Sequence, residues 1–388
     1  MVYFFIMQGK TIKILAIETS CDETAASLVE AKKTADGFSA QGGPAGGWEV
    51  EILSNAVASQ IDIHKKWGGV YPELASRAHL EAMLPVLDEA LKPVGGINDL
   101  NKKIDAIAVT QGPGLIGSLL MGVETAQILA SYFDLPVVPV NHLEGHIYAA
   151  FSGLNQKSKV KSKNHNSSFI IHTSNPFPIL ALVVSGGHTS LILMKDHLKY
   201  ETVGQTIDDA AGEAFDKVAR IMDLGYPGGP VIEEIAKKGD ENAYKLPLSM
   251  VDRKTLDFSF SGLKTAALYL TKDPRSQKKL KYNKADLAAS FQKTVCEILT
   301  RKTIQAARMY QPKTVILGGG VSANSYLREH FVREVSKISG TEVLISPKQL
   351  STDNAVGIAI AGAIKFLSGQ KTTWQKIDAK DHLPIDNI

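Results

Sequence analysis

The sequence predicts an α/β protein built from two similar lobes. An apolar hairpin is followed by a strand, a glycine loop and a helix, and this order occurs twice. The second hairpin begins 165 residues after the first (14 to 179), and the second glycine loop lies 206 residues after the first (112 to 318). Two such lobes facing each other would bring both hairpin tips and both glycine loops to one central cleft, where ligands collect in open α/β sheets.

The elements follow from apolar runs and the turns between them. Residues 14–17 and 25–29 form the first predicted hairpin, and 179–184 with 191–194 form the second. Each tip is rich in hydroxyl, glycine or carboxylate groups. The strands at 104–110 and 315–317 lead through glycine loops at 111–117 and 318–324 into helices that end near residues 130 and 335.

Composition restricts the class of protein. The chain has 388 residues, of which 44% are apolar, and 43 basic against 40 acidic residues leave a net charge of +3. This composition excludes disorder as the main state and does not favour wholesale coating of nucleic acid. Two cysteines cannot form a disulfide framework, and the apolar residues 1–7 are too few for a signal peptide or a membrane span. We therefore predict a cytoplasmic protein.

The predicted domain organisation has three parts. An N-terminal lobe covers 11–150, and a C-terminal helix at about 354–367 packs back on it. A C-terminal lobe covers 179–353. Residues 151–178, rich in Ser, Asn, Lys and Pro, form a loop or insertion between the lobes.

One amphipathic helix is predicted over residues 73–92, with a bend at Pro85. Its leucine stripe is expected to be core, with a partner-binding face as the alternative; the stripe consists of Leu80, Leu84, Leu87 and Leu91.

A histidine pair is the first candidate for chemistry. His142 and His146 are four residues apart, so they lie on one face of a helix and can share a metal ion. The zinc-protease pattern needs a glutamate directly after the first histidine, but Leu143 stands there. Asp353 is a candidate third ligand, and the alternative is that it caps the helix that follows.

Glycine loops are the second candidate. Residues 112–117 match G-x-G-x-x-G, but their position and Pro113 favour a tight strand-to-helix turn over a dinucleotide site. Residues 185–189 and 318–320 are better cradles for a phosphate or nucleoside, because glycines let backbone N–H groups approach an anion. Close packing is the alternative for both.

Two clusters of basic residues could bind RNA phosphates, and the alternative is that they only keep the protein soluble. Tyr282, inside the second cluster, could stack on a base. The clusters are Lys157, Lys159, Lys161 and Lys163, and Lys272, Arg275, Lys278, Lys279, Lys281 and Lys284.

Together these motifs resemble one family, the tRNA threonylcarbamoyladenosine transferases of the bacterial TsaD type, formerly called O-sialoglycoprotein endopeptidases. The motifs lie at residues 17–24, 112–115, 141–146, 184–189, 208–217, 226–230, 258–265 and 318–324. The resemblance implies the two-lobed actin, hexokinase and Hsp70 (ASKHA) fold, with duplicated RNase H-like lobes around a central cleft. It also implies transfer of a threonylcarbamoyl group from threonylcarbamoyl-adenylate to the adenosine 3′ of the anticodon, in tRNAs that read codons beginning with adenine, with release of AMP.

The resemblance further implies site residues and partners. One divalent metal ion, usually iron or zinc, would be held by His142, His146 and Asp353. Bacterial members work with a paralogue (TsaB) and a small ATPase (TsaE). We expect Asp22 and Glu23 to orient the adenine amine or accept its proton. Nucleotide and substrate contacts are expected at Val183, Val184, Ser185, Gly186, Gly187, Asp216, Gly229, Glu233 and Asn324, where some members carry aspartate in place of Glu233.

Two rival classes remain from the sequence. The histidine pair and the former family name prompt a zinc protease, and the duplicated fold prompts a sugar kinase or a chaperone-like ATPase.

Overall fold

The computed structural model describes residues 11–34, 47–152, 167–171, 176–273, 275–276 and 278–387. The chain divides into two compact units. The first lies within Met1–Gln60, Val70–Pro176 and Asp353–Ile388, and the second comprises Ile61–Gly69 and Phe177–Thr352. No helix in the described part of the chain is long and apolar enough to cross a membrane.

The first unit contains a six-stranded mixed sheet in the order β5-β4-β1-β2-β3-β6. Strand β1 pairs antiparallel with β2 and parallel with β4, and its apolar side chains are fully buried. The strands are β1 (Thr11–Glu18), β2 (Glu23–Thr34), β3 (Gly47–Ser59), β4 (Ala106–Gly112), β5 (Val137–Asn141) and β6 (Ser167–Ile171).

The second unit contains a five-stranded sheet in the order β11-β10-β7-β8-β9. Its central strand again pairs antiparallel with the next strand of a hairpin and parallel with a later strand. The repeated order confirms the duplicated α/β fold. The strands are β7 (Ile179–Val184), β8 (Thr189–Asp196), β9 (Lys199–Gln205), β10 (Thr314–Gly318) and β11 (Glu342–Ile345).

Helices cover these sheets. The short α1 (Ile61–His64) groups with the second unit. The first unit has α2 (Pro72–Leu91), α3 (Ile116–Phe133), α4 (His142–Phe151) and α10 (Ala355–Leu367). The second has α5 (Ala211–Ile221), α6 (Gly228–Ala236), α7 (Ser261–Thr271), α8 (Lys284–Tyr310) and α9 (Ser325–Val335).

The prediction that the leucine stripe of helix α2 belongs to the core is only partly correct. Leu87 and Leu91 are buried, but Leu80 and Leu84 are 70% and 73% exposed. The helix buries the stripe His79, Met83, Val86 and Ala90, spaced by three or four residues, and Leu80 and Leu84 each follow one position later, about 100° around the axis. The helix continues through Pro85.

The segment between residues 151 and 178, predicted as a loop or insertion, contains strand β6, which pairs antiparallel with β3. Residues 153–166 and 172–175 lie outside the described part of the chain, and so does the lysine cluster at 157–163.

The loop at 112–117 is a strand-to-helix turn, as expected. A Cβ at Gly112 would lie 1.9 Å from the Lys380 carbonyl oxygen, and one at Gly114 would lie 2.5 Å from the Ser20 carbonyl oxygen. These glycines therefore serve close packing within the first unit.

Candidate active site

Three predicted ligands converge in the first unit. One donor atom from each of His142, His146 and Asp353 lies within 4.8 Å of the other two. Nε2 of His142 is 3.7 Å and Nε2 of His146 is 3.4 Å from Oδ1 of Asp353. Metal–ligand bonds of about 2.0–2.1 Å at tetrahedral angles separate ligand atoms by about 3.3–3.4 Å. The spacing and the donor set therefore fit one divalent ion such as iron or zinc.

Helix α4 presents both histidines because of how it begins. Asn141 is its N-cap: Oδ1 accepts from the Leu143 N–H at 2.8 Å, while Glu144 Oε2 accepts from the Asn141 N–H at 3.0 Å. This capping box starts the helix at His142, so His142 and His146 lie one above the other on the same face.

Glu144 does not serve as a protease base. It is fully buried, and its carboxylate pairs at 2.6 Å with Lys365 of α10 in addition to the cap. Lys365 also donates to the Pro139 carbonyl at 3.1 Å. A carboxylate held in this way has no access to a metal-bound nucleophile, which argues against the zinc-protease hypothesis.

Asp353 does not cap the helix that follows it. Asn354 is the N-cap of α10, because its Oδ1 accepts from the Val356 N–H at 3.0 Å. Asp353 lies just before the cap, with its side chain 16% exposed and facing the two histidines. The capping alternative for Asp353 is therefore wrong.

Glu18, which the sequence did not assign to the site, contacts His142 at Nδ1, the ring nitrogen other than the one nearest to Asp353. It ends strand β1, is 1% exposed, and its Oε2 lies 3.1 Å from Nδ1 of His142. Thr110 Oγ1 donates to the same oxygen at 2.6 Å, and the Ser20 N–H donates to Oε1 at 2.5 Å. A carboxylate on Nδ1 fixes the histidine tautomer that turns the Nε2 lone pair towards a metal.

Charges within this cluster shift the pKa of several groups. Burial opposes ionisation of Glu18, but protonated His142 and the hydrogen bonds from His142, Ser20 and Thr110 outweigh it and lower the pKa of Glu18 to about 2. Burial disfavours the charged form of His142, yet Glu18 and Asp353 raise its pKa to about 9. Burial raises the pKa of Asp353 to about 6. A metal ion must therefore compete with a proton for His142.

The tip of the β1–β2 hairpin carries Asp22 and Glu23. Asp22 is 9% exposed, and its carbonyl oxygen accepts from the Gln60 N–H at 3.0 Å. Burial and then the negative charges of Asp353 and Asp22 raise the pKa of Glu23 to about 10. Asp22 and Glu23, the carboxyls predicted to be catalytic, thus lie close enough to Asp353 for electrostatic interaction with it.

In the second unit, residues 185–187 form a compact glycine loop after β7. The Ser185 N–H donates to the His188 carbonyl at 2.8 Å, and the Ser185 carbonyl accepts from the Gly212 N–H near the start of α5 at 3.2 Å. A Cβ at Gly186 or Gly187 would meet no atom within 4 Å. These glycines are therefore not required for packing, whereas a Cβ at Gly319, which has a φ of +88°, would lie 2.4 Å from the Val184 carbonyl oxygen.

The other predicted nucleotide contacts lie at helix N-termini of the second unit. Asp216 Oδ1 accepts from the Gly228 N–H at 2.7 Å, and Glu233 Oε1 accepts from the Ser325 N–H at 3.0 Å. Asn324 caps α9 through the Leu327 N–H at 2.9 Å. A Cβ at Gly229 would meet open space, and a cavity of about 250 Å³ is lined by residues that include Glu233 and Ser325. Val183 and Val184 have fully buried side chains, so only their backbone is available.

Fold and site together define a class: a duplicated α/β protein with a His₂Asp cluster that could hold a metal ion in one unit and glycine loops at strand ends in the other. Two solved structures share the fold. HypF from T. kodakarensis matches with a TM-score of 0.54 at 13% identity over 95% of this chain, and a full-length HypF in the phosphate- and nucleotide-bound form matches with 0.52 at 13% over 94%. The chain spans about half the length of either, 49% and 47%.

Sequence comparisons identify the family. The family model of TsaD, described as tRNA N6-adenosine threonylcarbamoyltransferase, matches residues 51–160 and 163–360. Relatives with that name are 45% identical over 98% of this chain and 99% of their own in Listeria monocytogenes, and 46% identical over 93% of both chains in Bacillus subtilis. The chain belongs to the TsaD family.

Proposed function

We propose that this chain transfers the threonylcarbamoyl group of threonylcarbamoyl-adenylate to N6 of the adenosine 3′ of the anticodon, in tRNAs that read codons beginning with adenine, and releases AMP. The observation that carries the proposal is the convergence of His142, His146 and Asp353 within 4.8 Å, in a chain about 45% identical along its length to relatives named for this transfer.

The proposed metal is iron, with zinc as the alternative. Two histidines and one carboxylate leave coordination positions open, a set used by both ions. A cation held there would supply Lewis acidity to a carbonyl or phosphoryl oxygen of the donor. The contribution of the chain is orientation, because Glu18 fixes His142 and the Asn141 cap fixes the helix that carries both histidines.

The glycine loop at 185–187 is proposed to hold the phosphate of the departing AMP. Its two glycines border open space, so a phosphate oxygen can approach their N–H groups closely. The N-terminus of α5, which follows Ala210 and has no side-chain cap, adds positive dipole beside this loop.

The nucleoside is proposed to contact the remaining predicted residues of the second unit. Asp216 and Glu233 are each held at a helix N-terminus, Asp216 by the Gly228 N–H and Glu233 by the Ser325 N–H, and both are proposed to contact a ribose or base. Gly229, four residues before Glu233 on α6, and Asn324, which directly precedes Ser325, complete the proposed set.

Asp22 is proposed as the group that accepts the amine proton. An adenine amine is a poor nucleophile because its lone pair is delocalised into the ring, so loss of its proton must be assisted. Glu23, with a pKa of about 10, keeps its own proton at neutral pH and is better suited to donate a hydrogen bond. We expect Asp22→Ala to retain bound metal and to lose transfer. Normal turnover of this variant would contradict the role.

A TsaB-like paralogue is proposed to dock on α2 and α3. These helices are in contact near Gly117, where a Cβ would lie 2.4 Å from Ser76 Oγ. Their outer faces expose the apolar side chains of Leu80, Leu84, Ile116, Leu120, Ile128 and Tyr132. A small TsaE-like ATPase is the other proposed partner, and the proposed location, which suits a tRNA substrate, is the cytoplasm.

Docking is tested with Leu80→Glu/Leu84→Glu. This variant should fold normally but fail to co-elute with the paralogue. Val332→Glu, a matched change at a 41% exposed position of α9, should co-elute as the original chain does. Equal co-elution of both variants would refute this docking face.

The reaction is tested by transfer of radiolabelled threonine to an unmodified tRNA transcript. The assay contains the adenylate-forming enzyme, both partner proteins and this chain. His142→Ala/His146→Ala should lose the label on tRNA, while His382→Ala, at an exposed histidine, should retain it. No label with the original chain, while all other components are active with a working relative, would overturn the proposed function.

A further inference from the structure

Residues 272–273, 275–276 and 278–284, here called the basic loop, carry the densest positive charge in the described part of the second unit. Lys279 pairs with Asp223 at 2.8 Å. Hydrogen bonding and charge from Lys279, and then the charges of Lys284 and Lys272, lower the pKa of Asp223, so three cations surround this one carboxylate. Lys278 and Lys281 form no ion pair with any residue that the structure describes. The basic residues are Lys272, Arg275, Lys278, Lys279, Lys281 and Lys284.

The basic loop has defined backbone structure. Lys272 and Lys279 form an antiparallel bridge, and the Leu280 N–H donates to the Thr271 carbonyl at 2.8 Å. The Asp273 carboxylate accepts from the N–H groups of Arg275 at 3.0 Å and Ser276 at 2.6 Å. Cations held on an ordered loop lose less conformational entropy when they bind a ligand.

An exposed aromatic side chain lies beside the loop, but it is not the one expected from the sequence. Tyr282 is half-buried against the hydrophobic core of the second unit, so it does not present a free ring face for a base. Tyr269 of α7 is 52% exposed and lies three residues before Lys272.

Helix α7 connects the basic loop to the glycine loop at 185–187. At its N-terminal end, Asp208 accepts from the hydroxyls of Ser259 at 2.5 Å and Ser261 at 2.7 Å. Asp208 lies just before α5, whose Gly212 N–H bonds to Ser185. The 11 residues of α7 span about 16 Å, and the basic loop lies at the far end.

Successive nucleotides of a helical strand advance by about 3.4 Å along the helix axis, so the length of α7 corresponds to the rise of about five nucleotides. In the proposed reaction the tRNA enters by the adenosine 3′ of the anticodon, and the anticodon stem is the helical segment nearest to that adenosine.

We propose that the basic loop binds the sugar–phosphate backbone of the tRNA anticodon stem, with Tyr269 stacking on an adjoining nucleotide. This rests on the proposed function and adds to it the surface that receives the substrate. Backbone contacts of this kind position an RNA without reading its sequence, and they contribute salt-dependent affinity.

A second basic surface provides a matched control. Lys254 and Arg308 line a cavity of about 690 Å³ in the same unit. Arg308 is near the end of α8, and the Lys313 N–H shortly beyond donates to the Pro178 carbonyl before β7 begins. This surface therefore lies towards the amino end of β7, at the sheet edge opposite the glycine loop.

The test compares Lys278→Gln/Lys281→Gln with Lys254→Gln/Arg308→Gln in the full chain with its partners. Binding of an unmodified tRNA transcript is measured by fluorescence anisotropy between 50 and 300 mM salt, and tRNA-dependent kinetics are measured in parallel. Loss of two phosphate contacts should weaken binding at least about tenfold at 100 mM salt and reduce the slope of log K against log salt by about 1.4–1.8. KM for tRNA should rise with kcat unchanged, and the control should change neither.

Tyr269→Ala separates stacking from charge, since it should weaken binding without changing the salt slope. The basic-loop proposal would be overturned if Lys278→Gln/Lys281→Gln had the same Kd for tRNA and the same salt slope as the original chain. Loss of a partner protein from that variant in size-exclusion chromatography would overturn it as well. Failure of the original chain to modify a tRNA that it binds would instead refute the proposed function, so the two failures are distinguishable.

Discussion

Substituting Glu18 by glutamine tests how the chain prepares His142 for a metal. The carboxylate accepts from Ser20 on one oxygen and from Thr110 and His142 on the other. An amide has a single acceptor oxygen, so it cannot satisfy both sides. Loss of such a supporting carboxylate lowers metal affinity by about 10- to 100-fold, or about 1.4–2.7 kcal/mol.

The pH dependence makes this prediction specific. With a pKa of about 9, the proton on His142 weakens apparent metal affinity about 100-fold at pH 7 and about 10-fold at pH 8. Affinity of the original chain should therefore rise about tenfold from pH 7 to 8 and about fivefold from pH 8 to 9. In Glu18→Gln the larger of the two charges that raise this pKa is absent and only that of Asp353 remains, so affinity should rise much less over the same range.

The two effects oppose each other at neutral pH. The variant should bind metal about 10- to 100-fold more weakly than the original chain at pH 9, and the difference should be small at pH 7. Zn²⁺ affinity is measured against a competing chelator at pH 7, 8 and 9. Glu30→Gln is the matched control, because Glu30 lies on the same hairpin and pairs with Lys13 at the surface. A pH slope in Glu18→Gln equal to that of the original chain would refute the reasoning.

Three further predictions concern packing around the site. Lys365→Met should lower the free energy of unfolding by about 3–5 kcal/mol in urea titration, because it leaves the Glu144 carboxylate buried without its cation, and an additional Glu144→Gln should recover part of the loss. Gly357→Ala should lower the free energy of unfolding by more than about 2 kcal/mol, because the added Cβ would lie 1.9 Å from the Gly145 carbonyl where α10 crosses α4; an unchanged urea midpoint would contradict this contact. Gly187→Ala should change the free energy of unfolding by no more than about 0.5 kcal/mol, because its Cβ meets open space, yet weaken AMP binding in calorimetry; equal AMP affinity would argue against the phosphate role of the loop.

The fold was predictable because its signals are local. Apolar strands, polar turns and glycine loops determine the two hairpins and the two strand–loop–helix segments, and their repetition indicates the duplication. Helix α2 shows the limit of this reasoning. A leucine stripe and a second stripe about 100° away, which contains His79 and Met83, are both compatible with its sequence, and only packing in the folded protein decides that the second stripe is buried.

The candidate site was predictable in part for a similar reason. The i,i+4 spacing reveals that His142 and His146 share a helix face, but nothing near Asp353 distinguishes a ligand from a cap. The structure excludes the capping role for Asp353, because Asn354 caps α10. Glu18 was missed, although a carboxylate at the end of a fully apolar strand is a detectable signal, since such a group is rarely buried without partners.

The order of the three proposed metal ligands along the chain has a consequence for biosynthesis. His142 and His146 precede residues 177–352 of the second unit, whereas Asp353 follows them directly. A ribosome that adds about 5–20 residues per second needs about 10–40 s to make the 206 residues between His146 and Asp353. The complete ligand set therefore exists only after the second unit has been translated. Ion capture then becomes a late event of maturation, and a nascent chain stalled before Asp353 would offer only the histidine pair.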